Sequence, residues 1–381
     1  MASLLAELVG IESPSNDPAG VAELARRLAA ELEPLGLQVE LVPVAGAGPI
    51  LRARGPARPG IGPPPVMLLG HLDTVWPLGT IAARPVRTEG NRLHGPGAYD
   101  MKAGLVVVVF ALRALHARGT LPPVTVFLTP LEEVDGGPYL EHMESAMKEA
   151  RAVLGFEPAW PGGAVKTERK GSGSFLVRAH GRAAHAGADL ARGANAILEL
   201  AHQSLRLSGL TDLARGLTVN VGVIRGGIRP NVVPAEAEAE FDVRFRTAAD
   251  GRRAEEAFRA LAPVVPGVSL EVAGGVHYPP LERGPHVLAV YEEAKRVARE
   301  MGMELEEAAS GGASEASFAA ALGVPTLDGL GADGDGAHAV DEHVLISSLP
   351  ERAALAAGLI VRLSKGALAA RPLEPPLATR E

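Results

Sequence analysis

The chain has 381 residues, 47% of them hydrophobic, and a formal net charge of −8. That is enough apolar material for two or three cores, with too few clustered cations for a general nucleic-acid surface. The absence of cysteine excludes disulfides, thiolate metal sites and cysteine nucleophiles together, so any metal must be held by His, Asp or Glu. The apolar run from Leu105 to Leu112 is too short to span a bilayer, and Met1–Gly10 carries Glu7 without a basic region before an apolar core. The expectation is a cytoplasmic protein without membrane segment or signal peptide.

In chain order, Val21, Leu24, Leu28 and Leu32 recur at helical spacing and predict a surface helix over 18–36, followed by a strand at 37–43. Eight of the twelve residues at 54–65 are proline or glycine, which reads as a surface loop. A strand at 66–69 runs into His71 and Asp73; a glycine-rich turn at 95–104 (GPGAYDMKAG) carries Asp100 and leads into a buried helix from Lys102 to Arg118. Strands at 124–128 and 152–156 run into Glu132–Glu133 and Glu157. In an open, mostly parallel α/β sheet the carboxyl ends of strands share one rim, so groups far apart in sequence converge there.

The texture changes near Gly171. A strand at 174–179, a helix at 194–207, strands at 218–224 and 235–245, a helix at 251–261 and a strand at 268–273 give the order β-α-β-β-α-β, a ferredoxin-like arrangement. Small or apolar residues alternate with charged ones over 235–245, as in an antiparallel sheet with one wet face. Helices near 286–301 and 314–322, a short strand at Thr326–Leu327 and a glycine-rich loop at 329–336 resume the first texture. The expected fold class is therefore α/β, with a larger domain in two parts, 1–169 and 278–381, around an inserted α+β domain at 170–277. The proline-rich tail from Arg371 is expected to be poorly ordered.

Two imidazoles, His71 and His338, with the carboxylates Asp100, Glu132, Glu133 and Glu157 suit zinc, and a bridging carboxylate would hold two ions. Asp73, two residues from His71, can accept from one ring nitrogen and leave the other to a metal. Adjacent Glu132 and Glu133 point different ways in a loop, so one can ligate while the other serves as general base. Each feature has a plainer explanation: a His–Asp pair in a turn, a helix N-cap at Asp100, two surface acids, an exposed loop histidine. Their joint occurrence at strand ends does not.

The segments GHLDTVWP from Gly70, GPGAYDMKAG from Gly95, LEE from Leu131, FEP from Phe156, AHAG from Ala184, NVVP from Asn231 and GAH from Gly336 occur in the order of the zinc aminoacylase/carboxypeptidase superfamily. The chain resembles that superfamily over roughly residues 1–365, and most resembles its glutamate carboxypeptidase branch. The resemblance implies a zinc-exopeptidase-like sheet flanked by helices, with the inserted domain acting as lid and dimerisation domain. It implies two zinc ions per subunit, with Co2+ or Mn2+ suiting the same ligands, bridged by Asp100 and a hydroxide. His71 and Glu157 would complete one ion and Glu133 and His338 the other, with Glu132 as the base. It further implies a cis peptide between Asp100 and Met101, a homodimer in which His185 of one subunit stabilises the oxyanion in the other's site, and Asn231, Arg244 and Lys166 as holders of the substrate's carboxylate.

The expected activity is removal of a C-terminal amino acid, glutamate being one candidate, from a peptide or N-acyl amino acid. An N-acyl amino acid deacylase of the acetylornithine or desuccinylase type is the nearest rival, and a non-catalytic metal-binding dimeric scaffold is a rival from another class. Neither a nucleic acid nor a membrane is an expected partner. Three departures from relatives stand out. His277–Tyr278 replace an arginine before Pro279–Pro280, which removes a bidentate carboxylate clamp and puts glutamate selectivity in question. Glu315 stands where aspartate is usual, and Leu131 precedes the two glutamates in place of aspartate.

Overall fold

The computed structural model describes residues 1–55, 63–134 and 137–368. The loop expected over 54–65 falls in large part, and the tail from Arg371 wholly, outside those residues. The main sheet has six strands in the order Gln38–Val42, Ile50–Arg54, Val124–Thr129, Val66–His71, Ala152–Gly155, Thr326–Leu327. The last four run parallel; Ile50–Arg54 pairs antiparallel with Val124–Thr129, and Gln38–Val42 pairs antiparallel with Ile50–Arg54. Strand residues alternate between faces, and both faces are buried. Leu51, Ala53, Leu68, Val126 and Leu154 enter one core under the helices Pro18–Leu32, Ala103–Ala117 and Ser348–Ser364, while Ile50, Met67, Leu69, Phe127 and Val153 enter a second with Met143 and Met147 of Leu140–Glu149. Burial on both faces explains why these strands read as continuous apolar runs.

The helices Ala2–Gly10, Leu140–Glu149 and Ser348–Ser364 and the parallel strand pair Val165–Arg169 and Glu307–Ser310 were not among the expected elements. Helices expected from periodicity are present with ends shifted by a few residues. The buried helix starts at Ala103 because the backbone of Asp100 and Met101 is non-helical, and the Asp100–Met101 peptide is cis, as the resemblance implies.

Residues 171–278 form a four-stranded antiparallel sheet in the order Thr218–Gly226, Glu236–Phe245, Gly171–His180, Ser269–Tyr278, with the helices Ala196–Ser208 and Ala248–Arg259. This is the ferredoxin-like order, and it has its own core around Phe175, Phe241 and Phe258. No helix among the described residues is long and apolar enough to cross a membrane.

Candidate metal centre and substrate cavity

The four parallel strands end on one rim. His71 is the last residue of Val66–His71, Glu132 and Glu133 follow Val124–Thr129, Glu157 follows Ala152–Gly155, and Asp328 follows Thr326–Leu327. Asp100 reaches the same place from the turn ahead of the buried helix. His338 arrives from the loop after Gly334–Asp335, with φ 61; such left-handed backbone in a non-glycine residue costs about 1 kcal/mol and tends to occur at functional sites.

Two triads result, His71–Asp100–Glu157 and Asp100–Glu133–His338. Asp100 turns one oxygen to each: Oδ1 lies 3.4 Å from His71 Nε2 and Oδ2 lies 3.3 Å from His338 Nε2. Glu157 Oε1 is 3.4 Å from His71 Nε2, and Glu133 Oε2 is 3.2 Å from His338 Nε2. Burial alone would raise the Asp100 carboxyl, but His338 and His71 hold it far below the usual carboxylate range. Burial likewise opposes charge on His71, yet Asp100, Asp73 and Glu157 outweigh it and hold the imidazole well above its ordinary value. Hydrogen bonding to Asp100 and Glu133 lifts His338 to about 10. Burial and the charge of Asp100 push Glu157 up to about 7, and burial followed by Glu157 raises Glu132 well above the usual range.

The residues fit a metal. Four carboxylates crowd two imidazoles, and His71 Nε2, Asp100 Oδ1 and Glu133 Oε1 are buried without a hydrogen-bond partner. Such orphans cost roughly 1–3 kcal/mol each unless something satisfies them. A divalent cation in each triad would do so, and a donor set of imidazole and carboxylate without sulfur suits zinc, cobalt or manganese.

Neighbouring groups fix these side chains. His71 Nδ1 lies 3.0 Å from the Asp73 main-chain oxygen and 3.4 Å from its carboxylate, which leaves Nε2 to the triad. The carboxylate also accepts the backbone N–H groups of Glu132 and Glu133 at 3.0 and 3.1 Å and the Ser15 hydroxyl at 2.6 Å. Tyr278 donates its hydroxyl to the Glu132 carbonyl at 3.0 Å, so the Glu132 backbone is held from both sides. Glu342 accepts from the N–H groups of Gly97, Tyr99 and Asp100 at 2.8–3.0 Å and from Trp76 Nε1 at 2.9 Å, which anchors the Asp100 turn. Arg169, buried, pairs through Nε with Asp328 at 2.6 Å and reaches the second oxygen of Glu157 at 3.4 Å. Sequence reasoning gave no role to Arg169, Asp328 or Glu342; an arginine or acid on a strand end has no local pattern that separates it from a surface charge.

The triads open into a cavity of about 640 Å³ whose lining includes Asp100, Glu132, Glu133, Glu157 and His338, together with Lys166, Arg169, Arg244, Tyr278 and Trp160. Two of the expected carboxylate holders, Lys166 and Arg244, are thus present. Lys166 is buried, and burial together with Arg169 lowers its ammonium to about 8; Arg244 pairs with Asp242 at 2.8 Å. His185 and Asn231 do not line this cavity. They lie beside each other, exposed, where Ala186 N–H donates to Asn231 O at 3.0 Å. The N–H groups of Gly187 and Ala188 both point at His185 Nδ1 from 3.1 Å, which leaves Nε2 to carry the proton of the neutral ring.

Comparison with known proteins gives a consistent picture. Residues 67–362 match the model of "Peptidase family M20/M25/M40". The chain is 32% identical over 370 residues to carboxypeptidase G2 of Pseudomonas sp. (strain RS-16), covering 95% of this chain and 89% of that protein. It is 29% identical to the succinyl-diaminopimelate desuccinylase of Rhodospirillum centenum (strain ATCC 51521 / SW), over 94% of this chain and 96% of that one. The crystal structure of aminopeptidase PepT from Bacillus cereus ATCC 10987 shares the fold, with a TM-score of 0.73 at 22% identity over 95% and 97% of the two chains.

Proposed function

Because this chain belongs to peptidase family M20/M25/M40, a family of metal-dependent peptidases and amidohydrolases, we propose that it is a dizinc exopeptidase that removes a C-terminal amino acid from a peptide or N-acyl amino acid. The observation that carries this reading is the pair of triads sharing Asp100, with Glu132 beside them in one cavity. His71 with Glu157 would hold one ion and Glu133 with His338 the other, and Asp100 both. When bound, the ions supply Lewis acidity toward the scissile carbonyl and the attacking water.

The chain's own groups do the rest. Glu132, its backbone held by Asp73 and Tyr278, takes the water's proton as the new C–O bond forms and delivers it to the amide nitrogen as the C–N bond breaks. Lys166 and Arg244 offer cations to the substrate's carboxylate. His185 and Asn231 would serve the site of a second subunit, with Nε2–H of His185 directed at the developing oxyanion. The sheet supports such pairing: among the described residues Thr218–Gly226 is an edge strand with one neighbour, and Ile224 on it is 53% exposed. Light scattering that finds only monomer would remove the shared-site part of the proposal. In this division residues 1–169 and 278–381 hold the chemistry and 170–277 the lid.

The test is steady-state kinetics of the zinc-loaded protein on dipeptides and glutamyl amides against N-acetyl and N-succinyl amino acids. Faster turnover of the acyl amino acids would favour the deacylase reading, and no hydrolysis of any amide would favour a metal-binding scaffold. Glu132→Gln is expected to keep its metal and lose on the order of 100-fold or more in kcat; hydrolysis at the wild-type rate would end the assignment of the base.

A further inference from the structure

The chain has two tryptophans, and they differ in how they are used. Trp76 is fully engaged: its Nε1 donates to Glu342 at 2.9 Å and the Arg84 guanidinium lies 3.8 Å from its ring centre. Trp160 has no ring partner and no Nε1 partner among the described residues, yet it lines the catalytic cavity and is 43% exposed. An indole left in water within a concave site forgoes a large burial energy that a ligand can recover.

The backbone holds this indole on a rigid turn. Trp160 N–H donates to Ala164 O and Gly163 N–H returns to Trp160 O, both at 2.8 Å. Gly162 and Gly163 take φ 93 and 84, a left-handed pair that glycine adopts without strain. Gly162 N–H is fixed by Asp333 at 3.0 Å and the Gly163 carbonyl by Arg352 at 2.8 Å. On the preceding residue, Ala159 N–H donates to Ala332 O at 3.1 Å and its carbonyl accepts the Tyr99 hydroxyl. The turn thus leaves Glu157 three residues upstream and Lys166 six residues downstream, and Pro158, Ala159 and Pro161 line the same cavity. A preorganised aromatic costs little entropy to use.

We propose that Trp160 is a specificity-determining residue, a platform that selects substrates carrying a flat aromatic or bulky apolar group next to the scissile amide, in addition to the carboxylate. This rests on the amide-hydrolysis reading above. The same cavity then discriminates on two chemistries, an ammonium at Lys166 for the carboxylate and an indole face for the apolar group.

The experiment compares zinc-loaded wild type, Trp160→Ala and Trp160→Phe on N-benzoyl and N-acetyl derivatives of one amino acid, with indole fluorescence titrated in parallel. Trp160→Ala is expected to lose about tenfold or more in kcat/KM on the benzoyl substrate, mainly through KM, with a change of about twofold or less on the acetyl one. Trp160→Phe is expected to recover most of the loss. Benzoyl amino acid should quench wild-type fluorescence and leave that of Trp160→Phe unchanged, a readout independent of turnover. Equal losses on both substrates, or none, would overturn the platform while leaving hydrolysis intact. Quenching without hydrolysis of either substrate would instead count against the hydrolase reading and support the platform.

Discussion

In the proposed reaction, Lys166 is the side chain on which recognition and acidity meet most directly. It is buried on the cavity wall with its ammonium lowered to about 8 by burial and by Arg169. Below that pH the group is charged in the folded protein and can grip a carboxylate; above it the folded protein releases the proton and the grip weakens. KM for a carboxylate-bearing substrate is therefore expected to rise as pH passes through about 8. Lys166→Gln should raise KM roughly 10- to 100-fold at neutral pH, the worth of a charge-assisted hydrogen bond, and flatten its pH dependence. A wild-type KM that does not change across that range would show that another group holds the carboxylate. Arg169 sits close by but is committed to Asp328, Glu157 and the carbonyls of Gly312 and Ala313, so it orders the wall.

At the scale of elements, the site depends on how closely the helix Ala103–Ala117 approaches the strand end that carries Glu157. A Cβ on Gly104 would sit 2.0 Å from the Phe156 carbonyl oxygen, and neither backbone can yield without moving the other. Gly104→Ala should destabilise the fold by about 1–3 kcal/mol through overpacking and weaken metal binding by displacing Glu157. Calorimetry of folding together with titration of zinc into the variant measures both effects. Wild-type stability and affinity would mean the contact relaxes at no cost. The parallel strands around this point show what local pattern conveys. Their apolar runs announced strands ending in His71, Glu132–Glu133 and Glu157, because burial on both faces leaves no polar alternation. The strand Val165–Arg169 did not announce itself, because Lys166, Glu168 and Arg169 interrupt it with charges whose partners, such as Asp328 for Arg169 and Arg246 for Glu168, lie far along the chain.

Across the whole molecule, a metal held as proposed would be coupled to folding. Each triad draws its members from separate strands and loops, so an ion bound there ties together segments between residues 71 and 338. Ligands that bind only the folded state stabilise it by mass action. Chelation is expected to lower Tm, and two zinc ions per chain should restore it. Asp100→Asn should reduce both bound equivalents, whereas Glu133→Gln should reduce one. Metal analysis finding a single ion in wild type would contradict the bridging role of Asp100. A Tm insensitive to chelator would mean the rim is rigid without metal.

The sequence by itself determined the donor types open to a metal, the strand-end positions and the ferredoxin-like insertion, since no cysteine, two-faced burial and strict alternation are local properties. It also carried the motifs by which the chain resembles its family. Tertiary structure decided what no window can hold: that Asp100 faces both imidazoles, that Asp73 grips the backbone of Glu132 and Glu133, that Glu342 anchors the Asp100 turn from 242 residues away, and that Trp160 stands open in the cavity while Trp76 does not. These are distances between segments remote in sequence, and they exist only once the two cores have set the strands side by side.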